Sequence, residues 1–202
     1  MRAATRNGND LLMRQVPGCG QSGRMPHPRV SPMGPTQMDP RNARIARQYA
    51  QRAGVSGLPN VFATLGRHQD LFAPYMAFAE KLTPGGTIPR DEAELLVLRT
   101  AVNTDCEYEW HHHSRIAQRV GLTEEEIDRV RGGSGTESWS AHRRALLHAA
   151  DELHTSQCLS DQTWDTLRDR YSEEQMIELC MLVGNYEMLA SILKSLRVEI
   201  DG

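Results

Sequence analysis

Four residues in the middle of this chain carry side chains that can move protons or react as nucleophiles. They are Glu94, Cys106, Glu109 and His113, within the segment DEAELLVLRTAVNTDCEYEWHHHSRIA. If the stretch that begins at Cys106 is helical, Cys106, Glu109 and His113 are one and two turns apart on one face. A thiol, an imidazole and two carboxylates can form a proton relay around a reactive cysteine. The same side chains can also perform acid–base chemistry in which the thiol takes no part.

Helical geometry distinguishes the three adjacent histidines of this segment. At about 100° per residue, His113 falls on the Cys106 side of the helix, whereas His111 and His112 point elsewhere. Adjacent helical side chains diverge too far to converge on one ion, so the run predicts no metal centre and no cofactor. An alternative metal site can be assembled from Glu109, His113 and either His148 or His154.

Glu94 lies in an otherwise apolar run, so its side chain faces the core. A carboxylate there must be hydrogen-bonded or have a raised pKa, and such groups are candidates for acid–base work. The same spacing also has a purely structural interpretation. Glu94 can pair with Arg90 one turn earlier, and Glu109 with His113 can be an ordinary helix pair.

Length, charge and cysteine spacing limit the class of protein. The chain has 202 residues, enough for one domain, and a formal net charge of -3. That charge predicts no nucleic-acid surface, and no apolar run approaches the roughly 18 residues of a membrane span. The start has no apolar signal segment, and the four cysteines are widely separated without a CxxC pair. We therefore expect a cytoplasmic protein with reduced thiols that binds neither nucleic acid nor membrane.

Residues 1–39 differ from the rest of the chain. They are rich in proline and glycine and have almost no apolar periodicity, so we expect a disordered or extended segment. Met25, Met33 and Met38 are alternative start sites, so residues 1–24 need not belong to the native protein. Residues 40–202 are predicted to form one helical domain.

Helical periodicity fills the chain from Pro40 onward. Asp39 before Pro40 predicts a capped first helix, and capping boxes begin at Thr123 and Ser172. No stretch alternates like a strand, so eight or nine helices in about 160 residues predict an all-α domain. A glycine inside the last helix, Gly184, is a candidate bend. The methionines whose spacing predicts core packing or an oligomer seam are Met176, Met181 and Met188.

The segment from Leu58 to Gly133 resembles the carboxymuconolactone decarboxylase family, which includes the alkylhydroperoxidase AhpD-like proteins. The resemblance is carried by LPNVFATLGRHQDLFAPYMAFAEKL and IPRDEAELLVLRTAVNTDCEYEWHHHSRIAQRVGLTEEEIDRV. The later segments ALLHAADELH and EEQMIELCMLVGNYEMLASIL are similar to longer members of the same family. The resemblance implies an all-helical AhpD-like bundle, a small-molecule substrate and a homo-oligomer, usually a trimer or hexamer.

One position departs from the motif of the peroxidase branch of that family. In that branch a glutamate is followed by a CxxC pair and then by a histidine. By position, Glu94 matches the glutamate, Cys106 the first cysteine and His113 the histidine. Glu109 stands where the second cysteine would be, so no adjacent dithiol can form. The EYEW segment around Glu109 is similar to the other branch, whose members use no cysteine pair and whose lactone decarboxylase needs only acid–base groups.

Three functional hypotheses follow. In the first, an acid–base enzyme acts on a small carboxylated or lactone-like molecule, with His113 as the principal acid or base. Glu109 then orients His113 or transfers a second proton, Glu94 is a supporting carboxylate, and the thiol of Cys106 only lines the pocket. The second is a one-cysteine peroxide reductase, in which Cys106 is oxidised and an outside thiol or Cys158 resolves the sulfenic acid. The third is a non-catalytic helical oligomer that binds a small ligand or senses oxidation.

Overall fold

The computed structural model describes residues 27–34, 36–55, 57–135 and 138–201. Within these ranges the chain forms nine α-helices and no strand, so the predicted all-α fold is confirmed. The predictions for residues 1–26, including Cys19, lie outside the described residues. In chain order the helices are α1 (Pro40–Ala53), α2 (Asn60–Leu65), α3 (Gln69–Leu82), α4 (Arg90–Asn103), α5 (Glu107–Arg119), α6 (Glu124–Val130), α7 (Ala141–Ser156), α8 (Asp161–Arg168) and α9 (Glu173–Leu196).

Helix α4 is the central element of the fold. From Glu92 to Ala101, every residue except Arg99 is buried. A helix that is buried on all sides needs neighbours on all sides, and α5, α7 and α9 pack around it. Glu94, inside this run, is completely buried, as its apolar surroundings predicted.

Three apolar clusters make up the core. The largest joins α4 to α7 and α9 and includes Leu96 and Leu179. A second packs α4 against α6, with Leu98 in its interior. The third holds α1 against α3 through Ala46 and Phe72. Since α3 also contacts α9, the α1–α3 pair closes one side of the helical body.

Side-chain caps fix where the helices begin. Asp39 accepts hydrogen bonds from the backbone N–H groups of Arg41 and Asn42 at the start of α1. Thr123 and Ser172 each form a reciprocal capping box at the starts of α6 and α9. These contacts satisfy N–H groups that have no partner within a helix, as the sequence predicted.

Helix α9 has 24 residues and continues through Gly184 without interruption. Its methionines differ in environment, because Met176 is buried whereas Met181 and Met188 are 46% and 45% exposed. Among the described residues, α9 is also the one helix long and apolar enough to cross a membrane, with a mean hydropathy of 1.4. Half of its most apolar 18-residue stretch is buried inside the protein. The core helix of a globular protein has the same length and apolar composition, so this similarity to a membrane span is weak evidence for one.

Residues 27–34 lie across the helical domain without regular secondary structure. The backbone N–H of Arg29 donates to the carbonyl of Leu196 at 2.9 Å, and that of Met33 donates to the carbonyl of Ala63 at 3.0 Å. Met38, just before α1, is buried in the cluster between α1 and α3. This part of the N-terminal segment is therefore fastened to both α2 and α9.

Candidate active site

Glu94, Glu109 and His113 meet where α4 packs against α5. Glu94 lies in the second turn of α4, while Glu109 and His113 are one turn apart on α5. The three residues are 0%, 4% and 8% exposed, respectively. Buried ionisable groups are costly unless they are paired, so their mutual contacts decide whether this arrangement is stable.

His113 is held between the two carboxylates. Its Nδ1 lies 2.6 Å from Oε2 of Glu94, and its Nε2 lies 3.3 Å from Oε2 of Glu109. The other oxygen of Glu94 lies 3.3 Å from Nη2 of Arg90. Both pairings that a purely structural interpretation allowed are thus present, and they are joined into one network. Since each ring nitrogen faces a carboxylate, both nitrogens can donate only when the ring is protonated.

The two carboxylates keep His113 in its charged form. Burial alone lowers the pKa of this imidazole, because the charged ring loses its hydration. The charge of Glu94 and the hydrogen bonds to Glu109 and Glu94 outweigh that effect and raise the pKa of His113 to about 10. At neutral pH the ring is therefore an imidazolium. It is a proton donor first, and it becomes a base only after that proton has left.

This charged network lines a cavity of about 70 Å³ that is bounded mainly by aromatic and aliphatic side chains. Helices α1, α2, α3, α4, α5 and α9 all contribute to its wall. In this conformation of the protein, the cavity has room for a ligand of a few non-hydrogen atoms. The aromatic and polar residues that line it with the three predicted residues are Tyr49, Phe62, Tyr75, Thr83, Arg90, Tyr108, His112, Asn185 and Tyr186.

Three hydroxyl groups form a row of contacts along the cavity wall. The hydroxyl of Tyr49 lies 3.3 Å from Oγ1 of Thr83, which lies 3.2 Å from the hydroxyl of Tyr186. The Tyr186 ring also packs edge-on against His113, with centroids 5.0 Å apart. Burial raises the pKa of Tyr49 to about 12 and that of Tyr186 well above its ordinary value. These phenols are consequently neutral hydrogen-bonding groups at neutral pH.

Cys106 is separated from the other three predicted residues. It is the residue before α5 and has extended backbone angles, so it does not share the helical face that the spacing predicted. Its side chain is 3% exposed, belongs to the largest apolar cluster and is not part of the cavity wall. Burial raises the pKa of the Cys106 thiol to about 11, against smaller lowering contributions from backbone N–H groups. A thiol in this environment is protonated and shielded.

Cys158 and Cys106 lie in different environments. Cys158 is exposed just beyond the end of α7, whereas Cys106 is buried in the largest apolar cluster. Cys158 could therefore resolve an oxidised Cys106 only if the core opened to bring the two sulfur atoms together.

The neighbours of His113 on α5 do not lie where a helical wheel alone puts them. His112, expected to point away, lines the cavity and lies 3.0 Å from Oδ2 of Asp201. Trp110, which follows Cys106 by four residues and so shares its side of a helical wheel, instead packs on the cluster around α6 with Arg131 over its ring. The cavity contacts α5 over more than one helical face. A helical wheel gives the direction of each side chain but not the extent of the surface that a cavity covers.

Asp201, near the C-terminus, bonds to residues of the cavity wall without lining the cavity itself. Oδ2 of Asp201 accepts a hydrogen bond from the hydroxyl of Tyr108 at 2.7 Å, and its Oδ1 accepts one from the backbone N–H of Asn60 at 2.7 Å. The Tyr108 hydroxyl in turn accepts the backbone N–H of Val61 at 3.1 Å. These contacts join α2, α5 and the end of the chain, and they hold Tyr108 on the wall.

The alternative metal site is not assembled. Among the residues that the structure describes, no group of three or more His, Cys, Asp or Glu side chains could hold a metal ion. His148 borders a separate cleft beside α8, and His154 pairs with Glu187 at 2.7 Å. Neither therefore joins Glu109 and His113.

Several residues that shape the cavity are not apparent from sequence spacing. Spacing identifies Arg90 only as a partner of Glu94, and it marks neither Asn185 nor Tyr186 of α9 as a site residue. One signal does exist for Asn185, because an asparagine inside the apolar sequence of α9 has to find a polar environment. The aromatic residues of α1 and α3 carry no comparable signal, since core packing explains them equally well.

The fold and the site together define an all-helical AhpD-like protein with a charged histidine at its centre. The model of the carboxymuconolactone decarboxylase family matches residues 69–152, a segment that contains all four predicted site residues. The resemblance seen in the sequence is confirmed over this segment, which is similar to the carboxymuconolactone decarboxylase family.

Known proteins with this fold include several with different described roles. The chain is similar to the alkylhydroperoxidase AhpD core of an uncharacterised peroxidase-related protein from Ralstonia eutropha JMP134. The two are 18% identical with a TM-score of 0.75, and the match covers 88% of this chain and 94% of that chain. It is also similar to the debrominase Bmp8, with 22% identity, 86% and 92% coverage, and a TM-score of 0.73. At these identities the similarity shows the fold.

A curated relative by sequence is the uncharacterised protein YdfG of Bacillus subtilis (strain 168). It is 26% identical over 107 residues, which cover 52% of this chain and 73% of YdfG. Because YdfG itself has no described activity, the chemistry of the present protein must be argued from its own cavity.

Proposed function

We propose that this protein is an acid–base enzyme that acts on a small carboxylated or lactone-like molecule, by decarboxylation or a related lyase or isomerase step. The observation that carries the proposal is the position of His113, held between Glu94 and Glu109 on the wall of a small apolar cavity. A charged acid beside a carboxylate base, both shielded from water, is the arrangement that proton transfer requires.

His113 is the proton donor in this proposal. When a carboxylate leaves its substrate as carbon dioxide, the electrons of the broken carbon–carbon bond pass to the neighbouring carbonyl or lactone system. The resulting enolate-like anion takes one proton from His113, whose ring becomes neutral and is later reprotonated from solvent. A ring with a pKa of about 10 carries that proton in almost every molecule at neutral pH.

Glu109 and Glu94 have different roles because their surroundings differ. Glu109 contacts Nε2 of His113 across 3.3 Å and lines the cavity, so it can remove a proton from a substrate carbon or pass one to the ring. Glu94 is completely buried and engaged by both His113 and Arg90, so it acts through His113 by holding the ring in place and charged.

The one-cysteine peroxide reductase is a weaker second candidate. Its support is the fold shared with peroxidase-related proteins. Against it stand the raised pKa of Cys106, its burial in the core and its absence from the cavity wall. Peroxide reduction requires an accessible thiolate, and Cys106 is neither accessible nor ionised at neutral pH. A purely ligand-binding oligomer is the remaining alternative and predicts binding without turnover.

A matched set of variants tests the proposal. Purified protein is screened with small β-keto acids and lactones, and in parallel with hydroperoxides and a thiol reductant. Removing a positioned acid or base costs about 10²–10⁴-fold in turnover, so we expect losses of that size for His113→Gln and Glu109→Gln. His111→Gln, a change beside the site but off the cavity wall, and Cys106→Ala should retain activity. Full turnover in His113→Gln, or peroxide consumption that depends on Cys106, would contradict the proposal.

Assembly into a homo-oligomer is proposed as well, through the outward face of α9. Ile177, Met181 and Met188 lie there at helical spacing and are 62%, 46% and 45% exposed. Three large apolar side chains in a row on one helix are more typical of a protein contact than of a solvated surface. Because Tyr186 of the cavity lies on the opposite face of α9, such a contact would support the site from outside.

A further inference from the structure

Two buried polar atoms on the cavity wall have no hydrogen-bond partner. They are Nη1 of Arg90 and Oδ1 of Asn185. A third atom without a hydrogen bond, Nε2 of His112, still lies 3.0 Å from a carboxylate oxygen of Asp201, so it has a polar neighbour. Buried polar groups are nearly always satisfied, and each exception needs an explanation.

Arg90 is positioned to receive an anion. Its Nη2 donates to Glu94 at 3.3 Å, which holds one end of the guanidinium group at the cavity. Its Nη1 is buried and free, although the Arg90 side chain as a whole is 31% exposed. A guanidinium presents its N–H groups in a rigid fork that suits a carboxylate. The unused N–H on the cavity wall therefore has the chemistry of a carboxylate receptor.

Asn185 supplies the opposite kind of group. It is 6% exposed and lines the cavity together with Tyr75. Its Oδ1 is buried and has no hydrogen-bond partner. An amide oxygen is an acceptor, so on this wall it can accept a hydrogen bond from a ligand hydroxyl or N–H.

The charge of the cavity permits an anionic ligand. With His113 protonated, the two cations Arg90 and His113 balance the two carboxylates Glu94 and Glu109, so the four groups sum to zero. An incoming carboxylate consequently meets no net negative charge from these four groups, and Nη1 of Arg90 is available to donate to it.

We infer that Arg90 and Asn185 form a two-point receptor for a small hydroxy- or amino-substituted carboxylate, with the carboxylate on Nη1 of Arg90 and the hydroxyl or N–H on Oδ1 of Asn185. This inference rests on the proposed function for the role of the cavity, and it adds which substrate groups the cavity selects. His113 and Glu109 then face the carbon skeleton between the two contacts.

Three small probes separate the two contacts. Glycolate has both groups, acetate lacks the hydroxyl, and glycolamide has no charge. Binding is followed by ¹H–¹⁵N NMR titration at constant ionic strength and neutral pH. We expect glycolate to bind at about 1–10 mM, as a ligand of so few atoms can, and at least tenfold more tightly than glycolamide and several-fold more tightly than acetate.

Single substitutions should remove one preference at a time. Arg90→Gln should abolish the preference for glycolate over glycolamide, while Arg90→Lys should keep part of it because the charge remains. Asn185→Leu should make glycolate and acetate equivalent and leave the preference for charge intact. Arg115→Gln, on the exposed side of α5, is the matched control and should change nothing. Melting temperatures identify any variant that fails to fold, and the conservative Arg90→Lys then carries the test.

Failure of this inference can be told apart from failure of the proposed function. Equal binding of glycolate and glycolamide to the unmodified protein, no glycolate binding at all, or an unchanged charge preference in Arg90→Gln would overturn the receptor. None of these measurements needs turnover. If the binding results hold but no reaction depends on His113, the proposed function fails and the receptor stands.

Discussion

Replacing Glu94 with glutamine tests whether carboxylates keep His113 charged. Glu94 is completely buried, and its Oε2 lies 2.6 Å from Nδ1 of His113, so glutamine keeps the shape and removes the charge. The pKa of His113 is about 10. Compared with about 6.5 for a free histidine, this corresponds to ~5 kcal/mol in favour of the charged ring, at 1.36 kcal/mol for each tenfold change.

Most of that preference should disappear with the Glu94 charge. Among the influences that raise the pKa of His113, the charge of Glu94 is the largest. A unit charge about 4 Å away contributes ~4 kcal/mol at an effective dielectric constant of about 20. In Glu94→Gln, Glu109 still raises the pKa of His113 and so partly offsets the lowering caused by burial. We therefore expect the pKa of His113 to fall by about 2–3, to about 7–8.

NMR spectra of the histidine imidazole groups, recorded over a range of pH, measure the pKa of His113 directly. The His113 signals are assigned by their absence in His113→Gln, and Glu107→Gln, an exposed carboxylate on the same helix, is the control that should leave them unchanged. A His113 ring that titrates near 6.5 in the unmodified protein would refute the reasoning. So would a Glu94→Gln variant whose His113 still titrates near 10.

The raised pKa also makes stability depend on pH. The folded state binds the His113 proton more tightly than the unfolded state does, so the stabilisation is complete below about pH 6.5. It decreases as pH rises and is lost above about 10, where the folded protein also releases the proton. The stability advantage of the unmodified protein over His113→Gln, measured by urea unfolding, should therefore be larger at pH 6 than at pH 9.5. An advantage that grows with pH would have the wrong sign.

Three further predictions follow from other contacts. The Cys106 thiol should react with an ultraviolet-detected thiol reagent only at high pH, with a pKa of about 11, and a value near 8.5 would restore the peroxidase hypothesis. Glu178→Ala should lower the free energy of unfolding by ~1–2 kcal/mol, because Glu178 accepts hydrogen bonds from the backbone of Thr87 and Ile88, whereas the exposed Glu174→Ala should change it little. Met181→Glu should reduce the particle size measured by light scattering, and an unchanged size would exclude the α9 face as the contact.

Much of the fold was readable from the sequence because its signals are local. Caps at Asp39, Thr123 and Ser172 and the apolar run of α4 each depend on residues within one helix. The pairing of Glu109 with His113 is local in the same sense, since one helical turn separates them. Such features can be predicted from spacing alone.

The parts that escaped prediction depend on contacts between distant segments. The spacing placed Cys106 on the site face, but the chain turns into α5 only after Cys106 and carries the thiol into the core instead. His112 reaches the cavity because Asp201 at the far end of the chain meets it there. Asn185 is recognisable as unusual in an apolar helix, but only the packing of α9 against α4 shows what it faces.

Because α4 is buried, the part of the site that it carries is exposed to solvent only when the protein unfolds globally. Glu94 sits in the helix that α5, α7 and α9 cover, so its backbone N–H can exchange with solvent only when most of the protein opens. The cavity wall made by α1 and α3 belongs to a separate apolar cluster and can open at lower cost. The carboxylate that holds His113 would thus stay in position through many local openings of the α1–α3 wall. Ligand entry and loss of the charged site are therefore separate events, with separate hydrogen-exchange rates.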